Sequence, residues 1–100
     1  MVDFDDLQKV KRTVDWDYLA YIKRQPSCVS GKKSEPHHII TVGAGGSDYC
    51  AVPLTRPEHN EIHKDGIKEF EKNHKVNLWF VAWRCLESWV TSRGKSSSDA

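Results

Sequence analysis

Pro36-His37-His38-Ile39, then a glycine loop, then Cys50-Ala51-Val52-Pro53-Leu54-Thr55-Arg56-Pro57-Glu58-His59-Asn60-Glu61-Ile62-His63 is the stretch that decides the fold. Thr55-Arg56-Pro57-Glu58 has the form of a capping box, with a Thr cap, an early proline and a Glu three residues on. The spacing predicts a helix from about Arg56 that carries His59 and His63 on one face, one turn apart. Upstream, Cys50 to Leu54 reads as a short apolar strand. Glu35 to Val42 reads as another, in a hairpin with Ser27 to Ser30 through the turn Gly31-Lys32-Lys33. Gly43-Ala44-Gly45-Gly46-Ser47-Asp48, with three glycines in four residues, is a loop.

Working outward, Trp16, Leu19, Tyr21 and Ile22 recur at helical spacing over Asp15 to Arg24, with Asp15 as cap. Gln25-Pro26 closes that helix, because a residue before proline is pushed out of the α region. Ile67 to Lys72 predicts a turn or two of helix around Phe70, after the break at Asp65-Gly66. Leu78 to Val90 puts Trp79, Ala82, Trp83, Leu86 and Trp89 on one stripe, which is expected to pack into the core. Residues 1–14 and 92–100 are expected to be flexible tails. The fold class is α+β, in a single domain over residues 1–100.

The 100 residues are 38% apolar and 29% charged, a normal mix for one globular domain. No run approaches the roughly 20 apolar residues of a membrane helix, and the acidic start MVDFDDLQKV does not read as a signal peptide. Cys28, Cys50 and Cys85 are odd in number and far apart, which argues against a disulfide framework. The net charge is only +1, although residues 1–17 carry five aspartates against Lys9, Lys11 and Arg12, which leaves a mildly basic remainder.

The chemistry lies in the histidines. Residues four apart on a helix suit two ligands of one metal ion, and a third from a neighbouring strand would leave a coordination position open for catalysis. Adjacent strand residues point to opposite sides, so one of His37 and His38 can ligate while the other stays free as a base. His74, in Asn73-His74-Lys75, is expected to be solvated. Residues 59–63 place Glu61 one position late for the zinc-protease H-E-x-x-H, so Glu61 would point about 100° away from the ligand face. The glycine loop fits neither a dinucleotide fingerprint nor a phosphate loop.

The order His37-His38-Ile39, Val52-Pro53-Leu54, His59-Asn60-Glu61-Ile62-His63 resembles the HNH, or ββα-metal, endonucleases. The likeness is to small phage and prophage members, including the phage recombination-enhancement nucleases, and at the metal helix to the nuclease colicins. Tyr18-Leu19, Arg24-Gln25-Pro26, Gly43, Gly45, Gly46, Asp48, Gly66 and Phe70 extend it over about residues 18–90. The resemblance implies a small ββα-metal core at about residues 27–75, with an N-terminal helix and a Trp-rich C-terminal helix. Two features depart from the family. The four cysteines of a structural zinc, present in many relatives, correspond here to Ser27, Ser30, Thr55 and Glu58, so no such zinc is expected. The asparagine of the family name falls near Cys50, which leaves the Asp48 carboxylate or a carbonyl near Cys50 to orient the base.

By that resemblance His37, His59 and His63 hold one divalent ion and His38 is the general base of DNA phosphodiester hydrolysis. Arg56, Lys64, Lys32 and Lys33 are expected to hold the phosphate backbone, with low sequence preference. Three imidazoles suit zinc or nickel on affinity, while magnesium prefers oxygen ligands, and the one divalent ion expected is zinc, nickel, magnesium or manganese. The expected partner is DNA, with a phage or host recombination or packaging protein as a delivering partner, and no membrane. The expected location is the cytoplasm of a phage-infected or prophage-bearing bacterium. The rival expectation is a metal-stabilised DNA- or protein-binding module without chemistry.

Overall fold

The computed structural model describes residues 12–98, and side chains as far as residue 93. The chain runs α1 (Trp16–Arg24), β1 (Glu35–His38), β2 (Ala51–Leu54), α2 (Arg56–Asp65), α3 (Ile67–His74) and α4 (Leu78–Ser98), with short 3-10 turns at Val42–Ala44 and Asp48–Cys50. This is an α+β architecture in which a strand, a strand and a helix follow one another through the histidine region. Among the described residues no helix is long and apolar enough to cross a membrane.

Local chemistry sets the boundaries. Asp15 caps α1 by accepting from the Tyr18 amide at 2.9 Å, and Gln25 leaves the helix in an extended conformation before Pro26. The Thr55–Glu58 capping box is present in full at the start of α2. Gly66, at φ 89° and ψ 160°, ends α2 and starts α3 in a conformation that a residue with a Cβ rarely adopts. Gly46 is required for a different reason. Its amide bonds the Thr41 carbonyl at 2.9 Å, and a Cβ there would sit 1.7 Å from the Ile40 carbonyl oxygen, so the loop closes only on glycine.

The expected hairpin is corrected. Glu35–His38 pairs antiparallel with Ala51–Leu54, in the register Glu35↔Leu54, Pro36↔Pro53, His37↔Val52 and His38↔Ala51. Ser27 to Ser30 is a turn, with an isolated bridge between Pro26 and Lys33 beside it in place of a strand ladder. The reason is the Ser27 hydroxyl, which accepts from the amides of Val29 and Ser30, both at 3.1 Å, and so takes the donors that a ladder would need. The first strand stops at His38 because the chain then turns into the glycine loop.

Ile39, Cys50, Val52, Leu54, Ile62, Phe70, Leu78 and Ala82 form the main apolar core. Beside it Tyr18 is fully buried, edge-on to Tyr49 and Trp89 at centroid distances of 5.1 and 5.7 Å. The Trp stripe of α4 is corrected in phase. Its buried side is Leu78 and Ala82, with Val81, Cys85 and Trp89 half-buried, whereas Trp79 and Trp83 are more than half exposed. The helix continues to Ser98, past the expected end at Val90. At the other end Arg12 and Thr13 are tied to Asp48 and do not run free, while residues 1–11 of the expected N-terminal tail and residues 99–100 of the C-terminal one lie outside the described residues.

Ser27, Ser30, Thr55 and Glu58 are joined by hydrogen bonds. The buried Glu58 carboxylate accepts from Ser27 Oγ at 2.6 Å and the Thr55 amide at 2.8 Å, and Ser27 Oγ in turn holds the Ser30 amide. Burial works against the charged form of Glu58, but hydrogen bonds from Ser27, then from the Thr55 backbone and the Ser30 hydroxyl, outweigh it and hold the carboxyl below its ordinary value. Stabilisation from this group is therefore present above about pH 4.5 and lost as the pH falls below it. Glu58→Ala strands two buried donors and is expected to cost about 2–3 kcal/mol in denaturant unfolding. Glu58→Gln should flatten the acid limb of stability against pH, and an unchanged limb would show that the carboxylate charge contributes nothing.

Candidate metal and general-base site

Strand β1 and helix α2 bring the histidines together. His37 is buried on the side of β1 that faces α2, and its ring lies 4.3 Å from that of His59 and 6.1 Å from that of His63, centroid to centroid. The His59 and His63 rings are stacked at 4.6 Å, with their Nε2 atoms 2.7 Å apart. A cavity of about 170 Å³ is lined by all four of His37, His38, His59 and His63, with Pro36, Thr41 and Val42. The capping box that starts α2 thus sets the phase that turns His59 and His63 toward the strand.

Two features bear on a metal ion. His37 Nδ1 is buried without a hydrogen-bond partner, as is His59 Nδ1. At Zn–N distances of about 2.0–2.1 Å, rings around one ion have centroids about 5 Å apart, near the mean of the three separations here. The donor atoms are not themselves at ligating separations: among the described residues no three His, Cys, Asp or Glu side chains already form a metal-holding group. The chemistry of the donor set, three imidazoles around one cavity, fits a divalent ion, and an orphaned buried nitrogen is what such an ion would satisfy. Burial, then the neighbouring His59, His63 and His38, push His37 down to about 4, so it is a neutral imidazole at neutral pH. His59 is lowered too, by burial first, then by His63 and Arg56 against Glu35.

His38 points elsewhere. Its Nε2 lies 2.8 Å from Asp48 Oδ1, and Asp48 is fully buried. The same carboxylate accepts from Arg12 Nη2 at 2.6 Å and from the Asp15 amide at 2.8 Å, while its own amide donates to the Thr13 carbonyl. Burial opposes the Asp48 charge, but the Asp15 amide, His38 and Arg12 more than offset it, and the pKa is lowered. A charged carboxylate only accepts, so Nε2 of His38 is the donor in this bond, and the tautomer it favours is the one with Nδ1 unprotonated. Of the two candidate orienting groups, Asp48 makes this bond. The Cys50 carbonyl instead accepts from the Ile39 amide at 3.2 Å.

The expected cations are dispersed. Arg56 pairs with Glu35 at 3.0 Å, Lys64 is exposed one residue past His63, and Lys32 and Lys33 are exposed on the turn before β1, none of them lining the cavity. His74, expected to be solvated, is half-buried: Nε2 lies 2.8 Å from Glu61 Oε2, and its ring is 4.4 Å from Phe70. That contact occupies Glu61, on the side of α2 away from the cavity. Sequence reasoning missed Arg12 and Glu35. Arg12 lies 36 residues from Asp48, and nothing local signals that pair. Glu35 was findable, since it sits two residues before His37 on the same face of a strand, and its Oε1 approaches His59 Nδ1 at 3.7 Å.

A family model for proteins of unknown function, DUF968, matches residues 4–89. Among curated proteins, "Uncharacterized protein YdfU" of Escherichia coli (strain K12) is 37% identical over 84 residues, which is 78% of this chain and 24% of that protein. The chain therefore spans about a quarter of the length of this relative. No solved structure matches. With the match running over most of its length, the chain belongs to the DUF968 family.

Proposed function

We propose that this protein is a metal-dependent endonuclease of the HNH type, built on a ββα-metal core, that hydrolyses DNA phosphodiester bonds with low sequence preference. The observation that carries the reading is the division of labour inside one cavity: three imidazoles converge, with His37 Nδ1 and His59 Nδ1 buried and unpartnered and the Nε2 atoms of His59 and His63 2.7 Å apart, and a fourth is held by a buried carboxylate. A purely structural metal site has no use for the fourth imidazole or for its orienting acid.

In the proposed mechanism His38 Nδ1 takes a proton from the attacking water. Asp48 keeps the ring in that tautomer and stabilises the imidazolium as it forms, and Arg12 keeps Asp48 charged. His37, His59 and His63 would hold the divalent ion, zinc or nickel on affinity, or magnesium or manganese. When bound, the ion supplies positive charge for a phosphate oxygen and the leaving 3′ oxygen. Glu35, behind His59, would orient that ligand. Lys64 and Arg56, on the helix that carries two of the ligands, would hold flanking phosphates, and Lys32 and Lys33 would reach the backbone further out. The leaving 3′ oxygen takes a proton from solvent water, and the products are 5′-phosphate and 3′-hydroxyl ends. The partners are DNA and a delivering recombination or packaging protein.

The first test is nicking of plasmid DNA by chelator-stripped protein refilled with single ions. His38→Ala and Asp48→Asn should each lower the rate by about 10²–10⁴-fold at unchanged metal affinity. For Asp48→Asn the reason is the lost charge, since a neutral amide no longer stabilises the imidazolium that forms as His38 takes the proton. Full activity in His38→Ala sinks the assignment, and metal binding without cleavage by any ion favours the binding module.

His63→Ala should weaken metal binding by more than the about 10–100-fold that loss of an outer-shell partner costs. It should also abolish the rise in melting temperature that added metal gives. Calorimetric titration reads both, and an unchanged isotherm removes His63 from the ligand set.

A further inference from the structure

The exposed face of α4 is left over from both the core and the histidine site. Trp79 is 52% exposed, Phe80 60%, Trp83 57% and Val90 60%, with Leu86 half-buried between them. Trp79, Trp83, Leu86 and Val90 fall at i, i+4, i+7 and i+11, so they form one continuous stripe over three turns. A contiguous apolar patch of this kind on a small protein marks an interaction surface. Between residues 79 and 90 the only charged side chains are Arg84 and Glu87, which cancel. A platform for nucleic acid needs cations interleaved with its aromatics, so this face suits an apolar partner.

We propose that the occupant is a second copy of this chain, with the two α4 helices packed antiparallel about a two-fold axis. The spacing along the stripe, 4-3-4, reads the same in both directions. Antiparallel pairing about the midpoint of residues 84 and 85 puts Trp79 level with the partner's Val90, and Trp83 level with the partner's Leu86. Each large ring then meets a smaller aliphatic side chain, and the arrangement is isologous, as a two-fold interface requires.

Two further features agree with that register. A groove of about 420 Å³ beside the stripe, lined by Tyr49, Leu86, Trp89, Val90 and Arg93, lies where the incoming Trp79 would arrive. Arg84 and Glu87, 3.4 Å apart within one chain, come within a turn of Glu87 and Arg84 of the partner subunit, so each cation also meets an anion across the axis. With aromatic side chains carrying about 150–250 Å² each, the exposed parts offer on the order of 400–500 Å² per copy. That is below the roughly 800 Å² per partner of a standard interface. The dimer is therefore weak and reversible.

Sedimentation velocity on the full chain from about 1 to about 500 µM tests this. The expected result is a monomer that converts to dimer across the range. Trp83→Glu, at an exposed position of the protomer, should raise the dissociation constant at least about 100-fold with an unchanged melting temperature at low concentration. Arg84→Glu and Glu87→Arg should each weaken the dimer about threefold to tenfold, and the double swap should restore it. A chain that stays monomeric throughout, or a dimer indifferent to Trp83→Glu, overturns the proposal. A double swap no better than the single ones overturns the antiparallel register. None of these readouts depends on nuclease activity, so failure here and failure of the proposed function are separate results.

Discussion

The buried carboxylate of Asp48 is the interaction on which the centre of the molecule depends. It is fully removed from water, which on its own would cost several kcal/mol for an ionised group. Arg12, the Asp15 amide and His38 provide the compensation, the first two from the segment before α1 and the third from the end of β1. One contact therefore does three things. It closes the glycine loop against the segment before α1, it brings Asp15 into position to cap that helix and bond Tyr49, and it fixes the ring of His38. Removing Arg12 leaves the buried charge without its cation, so the loop and the start of the first helix would loosen together.

The legible parts of the chain were those governed by short-range chemistry. The capping box at Thr55 fixed the start and phase of α2, and with them the direction of His59 and His63. The Asp15 cap and Pro26 bracketed α1. Strand alternation separated His37 from His38, and the structure sends one toward His59 and the other toward Asp48. What could not be read was whatever depends on distant partners. Arg12 and Asp48 are 36 residues apart, and Ser27 and Glu58 are 31 apart. Ser27 to Ser30 has strand-like neighbours, yet a single hydroxyl captured its amides because Glu58 was there to orient it.

The Ser27–Glu58–Thr55 cluster also explains how so small a core holds the turn before β1 against α2. The apolar cluster contains mostly medium-sized side chains, with Phe70 as its one large ring, and the tryptophans contribute little to it. A buried, charge-assisted hydrogen bond of 2.6 Å between a turn and a helix N-terminus supplies a fixed point there without added apolar volume. It also completes the capping box, so the same carboxylate starts α2 and anchors it.

The phase of α4 was the hardest feature to read, for a physical reason. Leu78, Ala82, Cys85 and Trp89 make one apolar stripe, and Trp79, Trp83, Leu86 and Val90 make another, one residue and about 100° away. Hydrophobic periodicity cannot choose between two stripes of equal quality. The choice is made at the helix start, where Glu71 accepts from the Leu78 amide at 2.7 Å and Asn77 accepts from the Phe80 amide at 2.9 Å. Those two bonds fix where the helix begins and turn Leu78 inward beside Phe70. The bulkier stripe is thereby left outside. Between residues 78 and 90 the helix therefore presents two apolar stripes, beside a polar face that carries Arg84, Glu87 and Ser88. The fold covers one side, and the 4-3-4 spacing of the other makes the same helix its own natural complement.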